Sequence, residues 1–244
     1  MIDAKDAEKE PATCPFSKSS KLKSSKKTPC PVINALINAG ELDPNKVWSR
    51  QELISVLKNN NIMSDSLSRI LTYAQSYPNL WLWFPGISYL PSIKKPTSFS
   101  VKTLQKHNLL EHDVSISRED FHLGNHIDYN DKRFKLIYKY FKNQKSISLR
   151  ELIEYINYLY KKSKKENNNL RFGLSEWLMI IIEMNTIFIL LSENGRLNLK
   201  KLEKVFKKES LEGIETTFIT LQLFFMNMIK SIKYWTTIQI KNTL

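Results

Sequence analysis

A cysteine between two prolines is the first residue whose surroundings suggest chemistry. In Pro29-Cys30-Pro31, Pro31 suits the first position of a helix, where its missing N–H costs nothing. Cys30 would then lie where the first backbone N–H groups of that helix have no partner. These amides and the helix dipole lower the pKa of a thiol and favour the thiolate that a metal ligand or nucleophile needs. The alternative is a small buried cysteine at a helix start. Cys14 has no such surroundings.

A second group is the run Glu111-His112-Asp113-Val114-Ser115. Its two carboxylates and one hydroxyl are hard oxygen donors, which suit Mg²⁺ or Mn²⁺ with water and a second anionic ligand completing the shell. His112 lies between the carboxylates, one of which would orient its ring for proton transfer. A polar loop that caps the following turn is the alternative.

Glu183 is the charged residue of an otherwise largely apolar stretch, 179–187. Burial of a carboxylate raises its pKa unless a charge partner or metal offsets the desolvation. Glu183 is therefore a candidate general acid–base. The alternative is that it faces solvent. Glu176, seven residues earlier on nearly the same helical face, is the second candidate.

Helices are expected to position these groups, because the sequence shows no strand-like alternation of useful length and no internal repeat. Two predicted helices begin with capping boxes, at Ser49/Glu52 and Ser148/Glu151. The aromatic and proline-rich residues 78–100 predict a long packed loop. The predicted helices after the one that follows Cys30 are 49–59, 65–77, 132–142, 148–165, 175–191, 198–208 and 215–235. The predicted class is all-α, with a flexible Ser/Lys-rich segment at 1–27 and one helical domain at 28–244.

The chain is basic, with 37 Lys+Arg against 24 Asp+Glu and a net charge of +13. Such a field attracts nucleic acid or an acidic membrane surface, but the lysines do not gather on one motif and no nucleic-acid-binding motif is visible. We therefore expect no nucleic-acid partner, and a basic helical binder of nucleic acid or membrane surfaces remains the weaker alternative. Two cysteines exclude a disulfide scaffold and a four-thiolate zinc site.

The N-terminus has acidic residues and no apolar run, so it does not predict a secretory signal, and the chain as given is expected to be intracellular. The most apolar stretch, 177–191, is interrupted by Glu183, Asn185 and Thr186. It falls short of the roughly 18 apolar residues of a membrane span. A buried core helix, with no transmembrane segment, is the prediction.

Two motifs in this order resemble the haem-thiolate peroxidase family, which contains fungal chloroperoxidase and the unspecific peroxygenases. The first is PCP at 29–31 with Asn34, Leu36, Asn38 and Gly40 after it; the second is LQKHNLLEHDVSISRED at 104–120. The similarity runs from roughly 28 to 212, and the histidine in EHD is typical of the family's shorter members. Members are usually secreted, and their acid-then-Pro-Gly-Trp ending is reduced here to Glu209 and Glu212-Gly213.

The resemblance implies a haem b enclosed between a proximal cysteine helix and a distal glutamate helix. Cys30 would be the thiolate ligand of the iron. Glu111, the main-chain carbonyl of His112 and Ser115 would hold Mg²⁺ or Mn²⁺ against a haem propionate. His112 and Asp113 would lie beside the distal pocket, with Glu183 as acid–base.

The activity implied is use of hydrogen peroxide to oxidise, oxygenate or halogenate small apolar or aromatic molecules. The thiolate favours O–O cleavage, and the acid–base moves a proton between the peroxide oxygens. An inactive relative that binds haem or a lipid-like ligand in the same cavity is the alternative. The oligomeric state is not predicted.

Overall fold

Helices dominate the residues that this computed structural model describes, which are 26–66, 68, 98–107, 112–170, 172–212 and 217–243. Among them, 58% lie in helices and 8% in strands, so the predicted all-α class is confirmed. No helix in these ranges is long and apolar enough to cross a membrane. The predicted helix 65–77, the loop 78–100 and the segment 1–27 lie almost wholly outside the described residues.

The first helix, α1, covers Pro31–Asn38, with Cys30 as its N-cap and proline at its first position, as the sequence predicts. Every residue of α1 is buried. The helix ends at Gly40, whose φ of 81° is the left-handed conformation that glycine adopts without strain. The next N–H, of Glu41, donates to the carbonyl of Leu36, which closes the end of the helix in a Schellman arrangement.

The second helix, α2, covers Arg50–Asn59 and follows strand β1, Trp48–Ser49. The hydroxyl of Ser49 accepts a hydrogen bond from a first-turn N–H, as the spacing predicts. Strand β1 pairs antiparallel with β2, Ser98–Phe99. A short helix, α3, follows at Val101–Leu104.

Helix α4, Asp131–Tyr140, and helix α5, Leu149–Glu166, flank the short strand β3, Ser146–Ile147. The capping box predicted at the start of α5 is confirmed. Ser148 accepts from the N–H of Glu151, and the Glu151 carboxylate accepts from the N–H of Ser148 at 2.7 Å.

The apolar helix α6 covers Leu174–Leu191 and continues into a hairpin of β4, Ser192–Glu193, and β5, Arg196–Asn198. The hairpin turn is Asn194-Gly195, with φ of 50° and 72°, the positive values that a type I′ turn requires. Strand β5 also pairs with β3. The sequence analysis did not predict these short strands, although an Asn-Gly pair is a hairpin signal.

The last two helices are α7, Leu199–Lys208, and α8, Leu221–Thr243. The predicted boundaries of the last helix, 215–235, are wrong at both ends. Residues 217–220 are not helical, because Ile219 exchanges backbone hydrogen bonds with residues 62–64. Tertiary pairing overrides the helical periodicity there, and no glycine or proline stops the helix after 235.

Helix α8 packs against α5 and α6 and is tied to both by polar side chains. The fully buried Asn185 accepts a hydrogen bond from the hydroxyl of Ser231 at 3.1 Å. Gln239 donates to the side-chain oxygen of Asn157 at 2.9 Å. Since Asn185 is two residues from Glu183 on α6, the first of these contacts fixes the helix that carries the candidate acid–base.

Candidate functional site

An apolar cavity lies between the start of α1, helix α2 and helix α6. Its volume is about 100 Å³, less than the roughly 300–1,000 Å³ of pockets that enclose drug-sized ligands. The titratable residues of its wall are Cys30, His112 and Glu183. Much of the rest is aliphatic: Val32, Ile33, Leu53, Leu57, Met179 and Ile182. Three predicted site residues from distant parts of the sequence thus share one cavity.

Cys30 lies at the wall of the cavity as the N-cap of α1, with extended backbone (φ −88°, ψ 115°). Its N–H donates to the hydroxyl of Thr28 at 3.2 Å, and its carbonyl accepts the first helical hydrogen bond, from the N–H of Asn34 at 3.1 Å. The backbone on both sides of the sulfur is therefore held in place. The thiol itself makes no capping hydrogen bond and is in no disulfide.

The pKa of the Cys30 thiol is raised, contrary to the expectation from the helix start. Burial in the apolar wall is the largest cause. The N–H groups of Ile33 and Val32 and the charge of Arg118 act to lower the pKa, while the negative charge of Glu183 raises it further. The helix terminus does act on the sulfur, but desolvation outweighs it. A thiolate at this place needs a cation beside it.

Glu183 and His112 form the second part of the site. Nε2 of His112 lies 2.9 Å from Oε2 of Glu183, and both residues line the cavity. The histidine side chain is 6% exposed and that of the glutamate 24%. The carboxylate is therefore the more accessible member of the pair, and the more deeply buried imidazole is hydrogen-bonded to it.

The backbone fixes which nitrogen of His112 carries a proton. Nδ1 lies 2.9 Å from the carbonyl oxygen of Asp113; because a carbonyl oxygen only accepts, Nδ1 donates. Nε2 then faces Glu183, and a hydrogen bond between them requires a proton on one of the two. The pair consequently holds one proton between Nε2 and Oε2.

The pKa of Glu183 is lowered. A charge partner, His112, therefore offsets the desolvation that would otherwise raise it. Burial is the largest single influence and raises the pKa, but the hydrogen bond from His112, the charge of His112 and the charge of Arg118 together outweigh it. The hydrogen bond between Nε2 of His112 and the carboxylate thus favours the ionised form of Glu183.

A strained loop presents His112 to the cavity. Val114 has a φ of 68°, a conformation that is costly for a β-branched residue and persists only where its surroundings enforce it. Two aspartates enforce it reciprocally. Asp120 accepts a hydrogen bond from the N–H of Val114 at 2.9 Å, and Asp113 accepts one from the N–H of Phe121 at 2.8 Å. This loop geometry aims the carbonyl of Asp113 at the His112 ring.

Arg133 on α4 holds the same loop from outside. Its Nε donates to the carbonyl of Ser115 at 3.0 Å, and its guanidinium lies 3.7 Å from the carboxylate of Asp120. The Asp120 side chain is fully buried, so this guanidinium is the charge that balances it. Arg133 was not predicted as a site residue, because an isolated arginine on an amphipathic helix gives no sequence signal.

Asp113 is not placed as predicted. Its carboxylate caps the loop and is not part of the cavity wall, and only its carbonyl serves the site. The Asp113 carboxylate accepts a hydrogen bond within the strained loop and therefore does not point into the cavity. His112, next to it, does reach the cavity.

The predicted Mg²⁺ or Mn²⁺ site finds no support among the residues that the structure describes. Glu111, its main expected ligand, lies outside them. The hydroxyl oxygen of Ser115 accepts a hydrogen bond from the N–H of Ser117. Within the described ranges, no group of three or more histidine, cysteine, aspartate or glutamate side chains could hold a metal ion. This cation site stays a prediction.

Glu176, the second candidate for the acid–base, serves the helix instead. Its carboxylate accepts a hydrogen bond from the N–H of Gly173 at 2.7 Å, at the first turn of α6. It is not part of the cavity wall. The geometry therefore favours Glu183 over Glu176 as the group that meets a ligand.

Arg118 is a site residue that sequence reasoning missed. It is 3% exposed, and its Nε donates to the carbonyl of Ile127 at 2.8 Å. Its positive charge lowers the pKa of both Cys30 and Glu183. Its position inside the motif at 104–120 was the one available signal. An arginine between a serine and two acidic residues is also typical of an ordinary polar turn.

A haem fits the donor set of this cavity. The wall is aliphatic, as a porphyrin face requires, and its one thiol is buried where only a nearby cation would keep it ionised. A metal ion deprotonates a coordinating thiol outright. Cys30 would hold the iron, and the His112–Glu183 pair supplies a proton acceptor in the same cavity.

A comparison with protein families finds a match over most of the chain. The family model "Peroxidase, family 2" matches residues 17–230, which include Cys30, His112 and Glu183. A search of curated proteins finds no significant match.

Proposed function

The chain belongs to peroxidase family 2, the family of fungal haem-thiolate chloroperoxidase and peroxygenase, and on that premise we propose that it oxidises small apolar molecules with hydrogen peroxide on a haem held by Cys30. Membership supports an oxidoreductase that acts on peroxide. The haem, its ligand and the substrate class are our proposal.

One observation carries the proposal. Cys30, His112 and Glu183 come from the two halves of the chain and line a single apolar cavity. A buried thiol or a buried His–Glu pair alone has structural explanations. A potential thiolate ligand and a proton-transfer pair in one cavity are the parts that peroxide chemistry on a metal needs.

Cys30 would hold the iron, with its backbone fixed by Thr28 on one side and by the first turn of α1 on the other. When bound, the haem supplies the redox chemistry of O–O cleavage, which a thiolate ligand favours. The amides of Ile33 and Val32 favour negative charge on the sulfur.

Glu183 would receive the proton of the peroxide. Its lowered pKa keeps it a carboxylate at neutral pH, so it can accept a proton from one peroxide oxygen and return it to the other. His112 keeps the carboxylate ionised and oriented through Nε2, and the carbonyl of Asp113 prevents the ring from changing its tautomer. General acid–base catalysis of this kind contributes about 10²–10⁴-fold in rate.

The aliphatic wall defines the proposed substrates. Leu53, Leu57, Met179 and Ile182 offer no hydrogen-bond donors that would recognise a sugar or an amino acid. Apolar or aromatic organic molecules would gain the most from entering, since their transfer from water is favourable.

The test is reconstitution of the full chain with haem, followed by the spectrum of the reduced, carbon monoxide-treated protein. We expect the long-wavelength band that is typical of thiolate-ligated haem, together with peroxide-dependent oxidation of a phenolic dye. A spectrum typical of imidazole ligation would refute the assignment of Cys30. A thiolate spectrum without any dye oxidation would instead point to an inactive haem-binding relative.

A further inference from the structure

The side chain of Asn34 pairs with the backbone immediately before Cys30. Its Oδ1 accepts from the N–H of Thr28 at 2.7 Å, and its Nδ2 donates to the carbonyl of Thr28 at 2.8 Å. The carboxamide thus satisfies both backbone polar groups of Thr28, as a neighbouring strand would. The hydroxyl of Thr28 in turn accepts from the N–H of Cys30 at 3.2 Å.

The second hydrogen of the Asn34 amide goes to a distant residue, Glu209. Nδ2 of Asn34 lies 2.9 Å from Oε1 of Glu209, across 175 residues of sequence. The other oxygen of this carboxylate is 2.9 Å from the ammonium of Lys27. One carboxylate therefore holds both the residue that clamps Thr28 and the segment that enters α1.

Glu209 is itself held in an unusual way for an acidic residue. It is 4% exposed and has a φ of 48°. Its carbonyl accepts a hydrogen bond from the side chain of Asn38 at 2.9 Å, so two asparagines one turn apart on α1 hold its side chain and its backbone. A buried charge in a left-handed conformation costs free energy, and such features persist only where surrounding contacts enforce them.

We propose that Asn34 and Glu209 are positioning residues that fix the sulfur of Cys30 at the cavity wall. The proposal rests on the proposed function of Cys30 as the ligand of a haem iron. The route of the effect is explicit: Glu209 orients the Asn34 amide, the amide clamps the backbone of Thr28, and the Thr28 hydroxyl holds the N–H of Cys30.

This route predicts what loosening does. Cys30 precedes α1. Its carbonyl accepts a hydrogen bond from Asn34 on the helix, its N–H donates to the Thr28 hydroxyl, and its thiol makes no capping hydrogen bond. Without the clamp, residues 28–30 are held less firmly, while Lys27 keeps the hydrogen bond from Gln105 to its carbonyl and α1 remains buried. The sulfur then samples positions away from the wall, where it is easier to alkylate and a poorer axial ligand.

The experiment uses the full chain with Cys14→Ser, so that Cys30 is the one thiol present. In the haem-free protein, the rate of alkylation by iodoacetamide at fixed pH measures access to the sulfur. Glu209→Gln keeps an acceptor for Asn34 but loses the ion pair with Lys27, and Asn34→Asp loses both of its donated hydrogen bonds. We expect each to raise this rate about tenfold. Asn34→Asp is isosteric but cannot donate to Thr28 or to Glu209.

Matched controls separate positioning from general stability. Glu203→Gln changes the same residue type on neighbouring α7, where the carboxylate accepts from the hydroxyl of Tyr138. Asn157→Asp changes another buried asparagine, which accepts from Gln239. Both are expected to leave the alkylation rate within about twofold, whatever they do to the unfolding midpoint.

A donor–acceptor swap provides the rescue. In Asn34→Asp/Glu209→Gln, the new amide at 209 can donate to the new carboxylate at 34, which restores that link but not the bond to the carbonyl of Thr28. The double variant should alkylate more slowly than Asn34→Asp alone, a coupling that independent destabilisation does not produce. If Asn34→Asp does not fold, Glu209→Gln and Thr28→Val decide the matter, since the latter removes only the hydroxyl.

The haem-loaded proteins give the second readout. In Glu209→Gln, the carbon monoxide difference spectrum should show a smaller thiolate-type fraction than in the parent or in Glu203→Gln. Folded variants with parental alkylation rates and spectra would overturn the proposal. A parent with no thiolate-type spectrum would refute the role of Cys30 instead, and the alkylation result would still report on the clamp.

Discussion

His112 and Glu183 meet across 71 residues of sequence, with Nε2 of the histidine 2.9 Å from Oε2 of the glutamate. Nδ1 of His112 donates its hydrogen bond to the carbonyl of Asp113, so His112 and Glu183 hold one proton between Nε2 and Oε2. The chemistry of the cavity depends on where that proton lies.

Glu183→Gln should remove peroxide turnover while haem binding is retained. The amide is nearly isosteric but cannot accept and return a proton, so kcat/KM for peroxide should fall about 10²–10⁴-fold. Stopped-flow kinetics on the reconstituted variant measure this. Glu176→Gln is the control, since Glu176 caps α6 away from the cavity; an equal loss in the control would remove Glu183 from the role.

His112→Ala should shift the acid limb of the pH–rate profile to higher pH. His112 lowers the pKa of Glu183 by hydrogen bonding and by charge. Without it, burial dominates and the carboxylate becomes protonated at a higher pH, where it no longer accepts a proton. His122→Ala, on the exposed turn beyond the loop, should leave the limb in place. An unmoved acid limb in His112→Ala would contradict the pairing.

The free energy of unfolding of the haem-free protein should fall at alkaline pH. In Cys30→Ala, the contribution of the thiol to this fall should be absent. The pKa of the thiol is raised in the folded state by burial. Its contribution is therefore fully present below the unfolded pKa of about 8.5 and is lost as pH rises through the folded pKa. Urea unfolding of both proteins at neutral and alkaline pH measures the difference. A difference that does not change with pH would show that Cys30 is not buried as described.

Arg133→Ala should destabilise the protein by about 3–5 kcal/mol, because it leaves the buried carboxylate of Asp120 without its charge partner. The contact between Arg133 and the carbonyl of Ser115 is lost with it. Arg150→Ala is the control: its ion pair with Glu154 is exposed, and its loss should stay within about 1 kcal/mol. Chemical denaturation gives both values, and equal losses would argue against a role for Arg133 in holding the loop.

Local signals predicted much of this fold. Pro31 at the first helical position and the Ser148/Glu151 capping box were readable because the interactions involved span only a few residues. The apolar helix around Glu183 followed from composition and length. The two-residue Asn194-Gly195 hairpin was also readable as a turn signal, although its strands are too short to show alternation.

The site could be predicted only in part, because its contacts are not local. The motifs pointed to Cys30 and His112, but nothing near Glu183 in the sequence indicates that an imidazole would lower its pKa. The direction of the shift at Cys30 was wrong for a similar reason. A helix start favours the thiolate, and only the packed cavity shows how much desolvation opposes it.

The link between Asn34 and Glu209 has a consequence for how the protein is made. When Asn34 is translated, the carboxylate that completes the clamp is still 175 residues ahead in the sequence. Contacts of such long range close late in folding. A nascent chain therefore lacks this clamp on Thr28 until Glu209 has been made.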